Sequence, residues 1–230
     1  MKISIIIPCY NEETYILNVL EKVNAQKNNF NLEIIITDDC STDGTISILE
    51  KNKNLYDKLI INEKNKGKGH AIRMAIPHIS GEVTLIQDAD LEYDPNDYSI
   101  IFEPFIKDDA DVVYGTRFNT GKKVRIFYYI NRIANFIITT LVNFLTNINF
   151  TDVETGYKAF KTEYLKKFNL KEDSFSIEIE ITMKLAKIKS LKIYEVGISY
   201  AGRTYEEGKK IKMIDGIKAI IGIFKYRFLK

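Results

Sequence analysis

Three carboxylates stand at alternating positions in the stretch Gly81-Glu82-Val83-Thr84-Leu85-Ile86-Gln87-Asp88-Ala89-Asp90-Leu91-Glu92. Asp88, Asp90 and Glu92 follow a short apolar run, 83–86, which comes after a glycine turn and has the character of a buried strand. Alternate side chains of an extended segment point the same way, so the three acids are expected on one side. Packed that closely they repel each other unless something positive lies between them. A hard divalent cation, Mg²⁺ or Mn²⁺, is the natural neutraliser, because it takes carboxylate oxygen and leaves room for phosphate. An isolated Asp-x-Asp is also what a solvated acidic junction looks like, so the elements around it must decide.

Those elements alternate. A strand over 2–7 is expected to stop at Pro8, and a helix to begin near Glu12 with Ile16, Leu17, Leu20 and Val23 inward. A second strand spans 32–37, and Asp38-Asp39-Cys40-Ser41-Thr42-Asp43-Gly44 follows, with Asp43, Ser41 or Thr42 able to cap the helix through Ile46 and Leu49. A third strand covers 59–61. Lys66-Gly67-Lys68-Gly69-His70 then leads into a helix with Ile72, Ala75 and Ile76 inward, and its backbone N–H groups could cradle phosphate. Strand and helix thus alternate to about residue 90, an α/β layout with a mostly parallel sheet flanked by helices. Residues 8–12, 38–39 and 88–92 fall at carboxyl ends of strands, where an open sheet of this kind binds ligands.

Beyond residue 90 the pattern predicts a helix over 95–106 and a strand over 111–114, with Arg117 at its end facing the acids as counter-ion or phosphate clamp. Residues 127–150 are aromatic and aliphatic but interrupted by Asn131, Arg132, Asn135, Asn143 and Thr139-Thr140, which suggests an interfacial helix pair or a helix of the core. A helix through 178–181 runs towards Lys189, a strand spans 191–200, and 202–210 form a glycine-bracketed basic loop of the kind that closes over ligands. Residues 211–230 carry Ile214, Ile217, Ile221, Phe224 and Phe228 at helical spacing among lysines and an arginine.

Of the 230 residues 45% are hydrophobic, enough for a sizeable core, and Cys9 and Cys40 suit a reducing compartment. The net charge of +2 is uneven. Residues 122–150 hold four Lys or Arg and no acid, residues 208–230 hold seven against Asp215, and the remainder carries −8. Basic charge therefore coincides with apolar density, which points to anionic ligands or an anionic membrane surface. No Walker A loop and no Gly-x-Gly-x-x-Gly after the first strand is present, against nucleotide hydrolysis of that kind and against a dinucleotide dehydrogenase. An acidic crevice between the basic stretches argues against nucleic acid. No signal peptide precedes the first strand, and no run of eighteen apolar residues suggests a membrane span.

Ser4-Ile5-Ile6-Ile7-Pro8-Cys9-Tyr10-Asn11-Glu12, Asp38-Asp39-Cys40-Ser41-Thr42-Asp43-Gly44-Thr45 and Asp88-Ala89-Asp90 resemble the motifs of inverting family 2 glycosyltransferases with the GT-A fold. A narrower resemblance, to polyprenyl-phosphate sugar transferases of the dolichol-phosphate mannose synthase type, rests on 87–95, 114–118, 152–158 and 202–210. It implies one GT-A domain over 1–230, with 1–118 holding the nucleotide sugar and 119–230 the acceptor. By the same resemblance Pro8, Tyr10 and Glu12 line the base, and Asp39, with Asp38, holds the base or ribose. Asp88 and Asp90, with Ala89 between them and Lys68 nearby, bind the donor, and Asp88, Asp90 and Glu92 hold Mg²⁺ or Mn²⁺. Arg117, Arg203 and Lys209 bind donor pyrophosphate or acceptor phosphate. Asp90, Arg117, Asp152 and Arg203 form the catalytic set, Asp152 serving as base if the acceptor is a hydroxyl.

The implied reaction is transfer from a GDP-mannose or UDP-glucose type donor to a dolichyl or undecaprenyl phosphate, or alternatively to a saccharide hydroxyl in cell-surface glycan synthesis. The implied place is the cytoplasm, peripherally on a membrane. Many such relatives carry carboxy-terminal spans that this sequence lacks, which leaves room for a separate membrane-anchoring partner. Cys40 stands where relatives usually have glycine, a change of turn rather than of chemistry.

Overall fold

Isoleucine sets the centre of the sheet. In β1 (Lys2–Cys9) Ile3, Ile5 and Ile7 point into one core and Ile6 into a second on the opposite face, all but fully buried. A strand covered on both faces has no polar side to show, hence its continuous apolar run. The computed structural model describes residues 1–118, 121–126, 128–204, 206–208, 210 and 213–228. Further strands are β2 (Asn31–Asp38), β3 (Lys58–Ile61), β4 (Val83–Ile86), β5 (Val112–Thr116), β6 (Lys158–Lys161) and β7 (Ile193–Gly197), and the seven-stranded order is β3-β2-β1-β4-β6-β5-β7. The chain winds outward from β1 to β3 and returns to β4 on the other side of β1, which puts the topological switch point between β1 and β4.

One core packs α1 (Ile16–Ala25), α2 (Thr45–Lys51) and α4 (Tyr98–Lys107) against the sheet. The other packs α3 (Lys68–Ala75), α5 (Tyr129–Thr146), α6 (Thr162–Lys167), α7 (Ile177–Leu185) and α8 (Met213–Phe228). Each Ile or Leu so buried contributes about 1.5–3 kcal/mol.

Several expectations need correction. β1 runs through Pro8, which pairs with Thr37. The Ile6 carbonyl accepts from Gln87 of the β4 side and the Cys9 carbonyl from Asp39 of the β2 side. By alternation the missing Pro8 N–H faces past the end of β4, where it interrupts no ladder. In α1 the buried set is Ile16, Val19, Leu20 and Val23, with Leu17 turned outward. The N-cap of α2 is Gly44 rather than Ser41, Thr42 or Asp43, although Asp43, one residue before it, accepts from Thr45 N–H at 3.0 Å. β6 is absent from the sequence reading, since four residues bounded by lysines give too short an alternation to register. It runs antiparallel between β4 and β5, with Lys158 level with Ile86 and Tyr114. Residues 152–157, just before it, are thereby delivered to the carboxyl edge of the parallel strands.

Within the interrupted stretch the described residues Tyr129–Thr146 form one helix, α5, rather than a pair. Its buried side mixes polar with apolar residues, Asn135 and Thr139 beside Ile138 and Val142, whereas Ile130, Phe136, Ile137 and Phe144 are 51–83% exposed. α8 behaves alike. The stripe Ile214, Ile217, Ile221, Phe224 and Phe228 is exposed, and Ala219, Ile223 and Tyr226 make the core contacts. α5 and α8 pack against each other. Among the described residues no helix is long and apolar enough to cross a membrane.

The glycine-lysine loop is not a phosphate cradle. Lys66 and Gly67 N–H donate to the Asp39 carboxylate, and Gly69 and His70 N–H donate to the Asp173 carbonyl. A Cβ at Gly69 would meet the Glu172 carbonyl oxygen and backbone. Overpacking against backbone that cannot yield costs roughly 1–3 kcal/mol. Gly69→Ala is therefore expected to lower the free energy of unfolding by that amount, read as a lower urea midpoint with an unchanged m-value, whereas wild-type stability would mean the loop is not seated on 172–173.

Candidate active site

At the switch point Glu12 follows β1 and Asp90 and Glu92 follow β4, while Arg203 arrives from the chain beyond β7. Its Nη1 lies 3.1 Å from Glu12 Oε2 and its Nη2 2.6 Å from Asp90 Oδ2. The Arg203 backbone N–H donates to Glu92 Oε1 at 2.7 Å, and the Tyr200 hydroxyl to Glu92 Oε2 at 2.9 Å. Lys210 Nζ adds a second cation, 2.5 Å from Glu12 Oε1. Burial and the negative charge of Asp88 and Glu92 push the Asp90 pKa up to about 7, against the pull of Arg203.

A second pair lies under β5. Arg117 Nε and Nη2 donate to the two Asp152 oxygens at 2.6 and 2.7 Å, and Asn135 Nδ2 of α5 donates to Oδ1 at 2.8 Å. Asp152 is wholly buried. Burial opposes its charge, but Arg117 outweighs that and holds the carboxyl below the ordinary aspartate value. Arg117 thus faces Asp152 rather than the three acids. A carboxylate so paired is a poor proton acceptor.

The third group is a chain of charges in which Lys68 and Asp88 are expected site residues and Lys158 and Glu178 are not. Lys68, at the start of α3, lies 2.7 Å from Asp88 Oδ1 and 2.9 Å from Glu178 Oε1. Lys158 of β6 reaches Glu178 Oε2 at 2.5 Å and also donates to the Thr155 carbonyl. Burial disfavours the Lys68 charge, yet Asp88 and Glu178 outweigh it and raise its pKa. Asp88 lies against Gly156 of the 152–157 segment, where a Cβ would collide with its Oδ2. Tyr93 stacks on Tyr157 at 4.7 Å and accepts the Gly156 N–H at 2.8 Å, fixing that segment against the acidic loop. Glu178 carried no motif signal, its only sign in the sequence being charge inside an otherwise apolar run, and Lys158 closes the 152–158 motif without a role assigned to it.

The family model for glycosyl transferase family 2 matches residues 4–168. The chain belongs to that family. It is 30% identical to the dolichol-phosphate mannosyltransferase of Pyrococcus furiosus, over 91% of this chain and 59% of that protein. It therefore spans less than two thirds of that relative. It is 28% identical to the UDP-N-acetylglucosamine–dolichyl-phosphate N-acetylglucosaminyltransferase of Methanococcus voltae, over 94% of this chain and 92% of the relative. The glucosyl-3-phosphoglycerate synthase of Mycobacterium tuberculosis, solved with Mn²⁺, UDP and phosphoglyceric acid, superposes with a TM-score of 0.73 at 18% identity, covering 100% of this chain and 79% of that one. This glycosyltransferase has the GT-A fold.

Not every residue assigned by resemblance opens into the crevice. Asp38 accepts from Ser41 N–H and Oγ, and Asp39 from Asn62, Lys66 and Gly67, so both buried acids brace their loops. Ala89 is packed in the core and Pro8 is buried in β1. Tyr10 is partly exposed, with the Lys210 ammonium 5.8 Å from its ring centre. Lys209 lies outside the described residues. Cys40 adopts φ 64°, the region that glycine enters freely, which accounts for glycine being the usual residue there.

The three acids are also not one cage. The segment after Ile86 leaves the extended conformation, so Asp88 turns to Lys68 while Asp90 and Glu92 turn to Arg203. Among the described residues no three acidic, histidine or cysteine side chains are grouped to hold an ion. The donor set nevertheless fits a hard divalent cation: Asp90 and Glu92 offer oxygen alone and already share one cation, the Arg203 guanidinium.

Removing Arg117 leaves Asp152 buried and unpaired, which typically costs about 3–5 kcal/mol. Asp152 has a lowered folded pKa, so its contribution is full above the unfolded aspartate value and is lost as pH falls through the lower folded one. Arg117→Met is expected to be destabilised in urea at neutral pH, with the gap from wild type narrowing in acid. A gap independent of pH would count against the pair.

Proposed function

We infer that this glycosyltransferase transfers a hexose, with inversion, from a nucleotide sugar of the GDP-mannose or UDP-glucose type to a polyprenyl phosphate at a membrane surface, with Mg²⁺ or Mn²⁺ bound. The observation that carries the reading is the two-sidedness of α5. Asn135 holds Asp152 and with it Arg117, while the adjacent Phe136 and Ile137 are 69% and 51% exposed. An acceptor with a phosphate head and a hydrocarbon tail matches a helix that joins a buried cationic site to an apolar exterior. The names of the Pyrococcus and Methanococcus relatives, both dolichyl-phosphate transferases, support the same acceptor class.

Residues 1–118 would hold the donor, with Tyr10 and Glu12 beside the base and Asp88 and Asp90 at the diphosphate. Asp90 and Glu92, with Asp88 as third ligand, would hold the cation, which supplies positive charge against the departing nucleoside diphosphate. Arg203 would then leave the acids and take a phosphate oxygen, a charge-assisted contact of the stronger kind. Asp152 fixes the Arg117 plane and uses two of its five N–H donors, leaving the others for the acceptor phosphate. That phosphate is already ionised near neutral pH, so no side chain has to remove a proton, in keeping with an Asp152 held in a salt bridge.

The reaction test is a panel of nucleotide sugars with a polyprenyl phosphate and Mg²⁺ or Mn²⁺, scoring lipid-linked sugar. Asp90→Ala is expected to remove transfer with the fold retained, and Arg203→Ala to lower it at least about tenfold, roughly 1.4 kcal/mol of barrier. Transfer to a saccharide alcohol, with polyprenyl phosphate inert, would replace this reading. For the membrane, sedimentation with anionic vesicles is expected to capture the protein at low salt and lose it near 1 M, where the Debye length is about 3 Å. Phe136→Glu with Ile137→Glu should weaken that capture without changing nucleotide affinity, and capture insensitive to both salt and these changes would exclude α5 as the contact.

A further inference from the structure

Six acids at the site have a cationic partner. Asp90, Glu92 and Glu12 meet Arg203, Asp88 meets Lys68, Asp152 meets Arg117, and Glu178 meets both Lys68 and Lys158. Glu154 differs. Its Oε1 is buried and has no hydrogen-bond partner. The nearby ammonium of Lys158 is already engaged by Glu178 and the Thr155 carbonyl. Burial pushes the Glu154 carboxyl up to about 7, a pull that Lys158 opposes and Glu178 reinforces. An unsatisfied buried carboxylate costs free energy, and such groups concentrate at sites where a ligand completes them.

Its place in the chain says which part of a ligand that would be. Glu154 lies midway between Asp152, which grips Arg117, and Gly156, which touches Asp88. Tyr93 pins the segment by the Gly156 N–H. Along the chain Glu154 thus falls between the residue that grips the group assigned above to acceptor phosphate and the residue against Asp88, assigned to donor diphosphate, and the transferred sugar has to lie between those two phosphates. A sugar presents hydroxyl donors there, and an unpaired carboxylate oxygen is an acceptor.

Resting on the donor reading above, we propose that Glu154 is a specificity-determining residue whose free carboxylate oxygen accepts a hydrogen bond from a hydroxyl of the transferred sugar. A site built to hydrogen-bond a hydroxyl discriminates strongly against a sugar that lacks it or turns it away, because the buried acceptor is then left unpaired.

The test compares affinities for UDP and UDP-glucose, and for GDP and GDP-mannose, by calorimetry in wild type, Glu154→Ala and Glu154→Gln. For the preferred donor, Glu154→Ala is expected to lose at least tenfold in affinity for the nucleotide sugar while its affinity for the nucleoside diphosphate stays within twofold. Glu154→Gln, which keeps an acceptor oxygen without the charge, should recover part of that loss. The same Gln variant should raise the melting midpoint of the ligand-free protein by roughly 2–4 °C, since it relieves an unpaired buried charge. A purely structural Glu154 would instead lower the midpoint and weaken both ligands alike, and that result overturns the assignment. So does unchanged nucleotide-sugar affinity with transfer abolished in Glu154→Gln, which would make Glu154 a proton acceptor. A wild-type chain that binds UDP and GDP but neither nucleotide sugar would overturn the donor reading itself and this assignment with it.

Discussion

Carboxylates that converge where β1 and β4 end repel one another, and the arrangement of the site follows from the cations that offset the repulsion. Arg203 comes from 113 residues beyond Asp90 to sit among Glu12, Asp90 and Glu92. Lys68 and Lys158 do the same for Asp88 and Glu178 from two other elements. Desolvation makes each of these charges expensive alone, so the pairs hold distant segments in one geometry more than they add net stability. A centre of this kind is ready to exchange one cation for another, since the acids keep their need for positive charge whichever group supplies it.

β6 makes the convergence possible. Lying antiparallel between β4 and β5, it enters at the edge where they exit, so 152–157 reach the same crevice as 88–92. A parallel strand in that place would have delivered its preceding loop to the opposite edge. Gly156 and the Tyr93–Tyr157 stack then let the two segments touch without a side chain between them.

α5 and α8 show that apolar periodicity need not mark a buried face. α5 buries Asn135 and Thr139 because Asp152 and the Val153 N–H require polar partners there. Ile138 and Val142 are buried beside them, but Ile130, Phe136, Ile137 and Phe144 are left outside, and α8 likewise exposes an apolar stripe while Ala219, Ile223 and Tyr226 face the core. Exposed apolar residues grouped in this way, in the part of the chain with most excess basic charge, are the surface on which the proposed membrane contact rests.

The sequence by itself determined the alternation of strand and helix up to residue 90 and the placing of Glu12, Asp88, Asp90 and Glu92 at strand ends. Those features are local: apolar runs, helical spacing and turn contacts such as that of Asp43 with the Thr45 N–H act within a few residues of themselves. It also marked Arg117, Asp152 and Arg203 as a set, through motif resemblance. Tertiary structure alone decided which charge meets which. Asp88 parts from Asp90 because the chain turns after Ile86, Asp38 and Asp39 are absorbed by their loops, and Glu178 is drawn in from a helix with no motif to pair with Lys68 and Lys158. Periodicity tells which side chains share a face, but whether water, a core or an ion lies against that face depends on segments a hundred residues away. Pairing energies between such segments leave no trace in local pattern, and for the same reason the exposed apolar stripes of α5 and α8 became visible only in the folded chain.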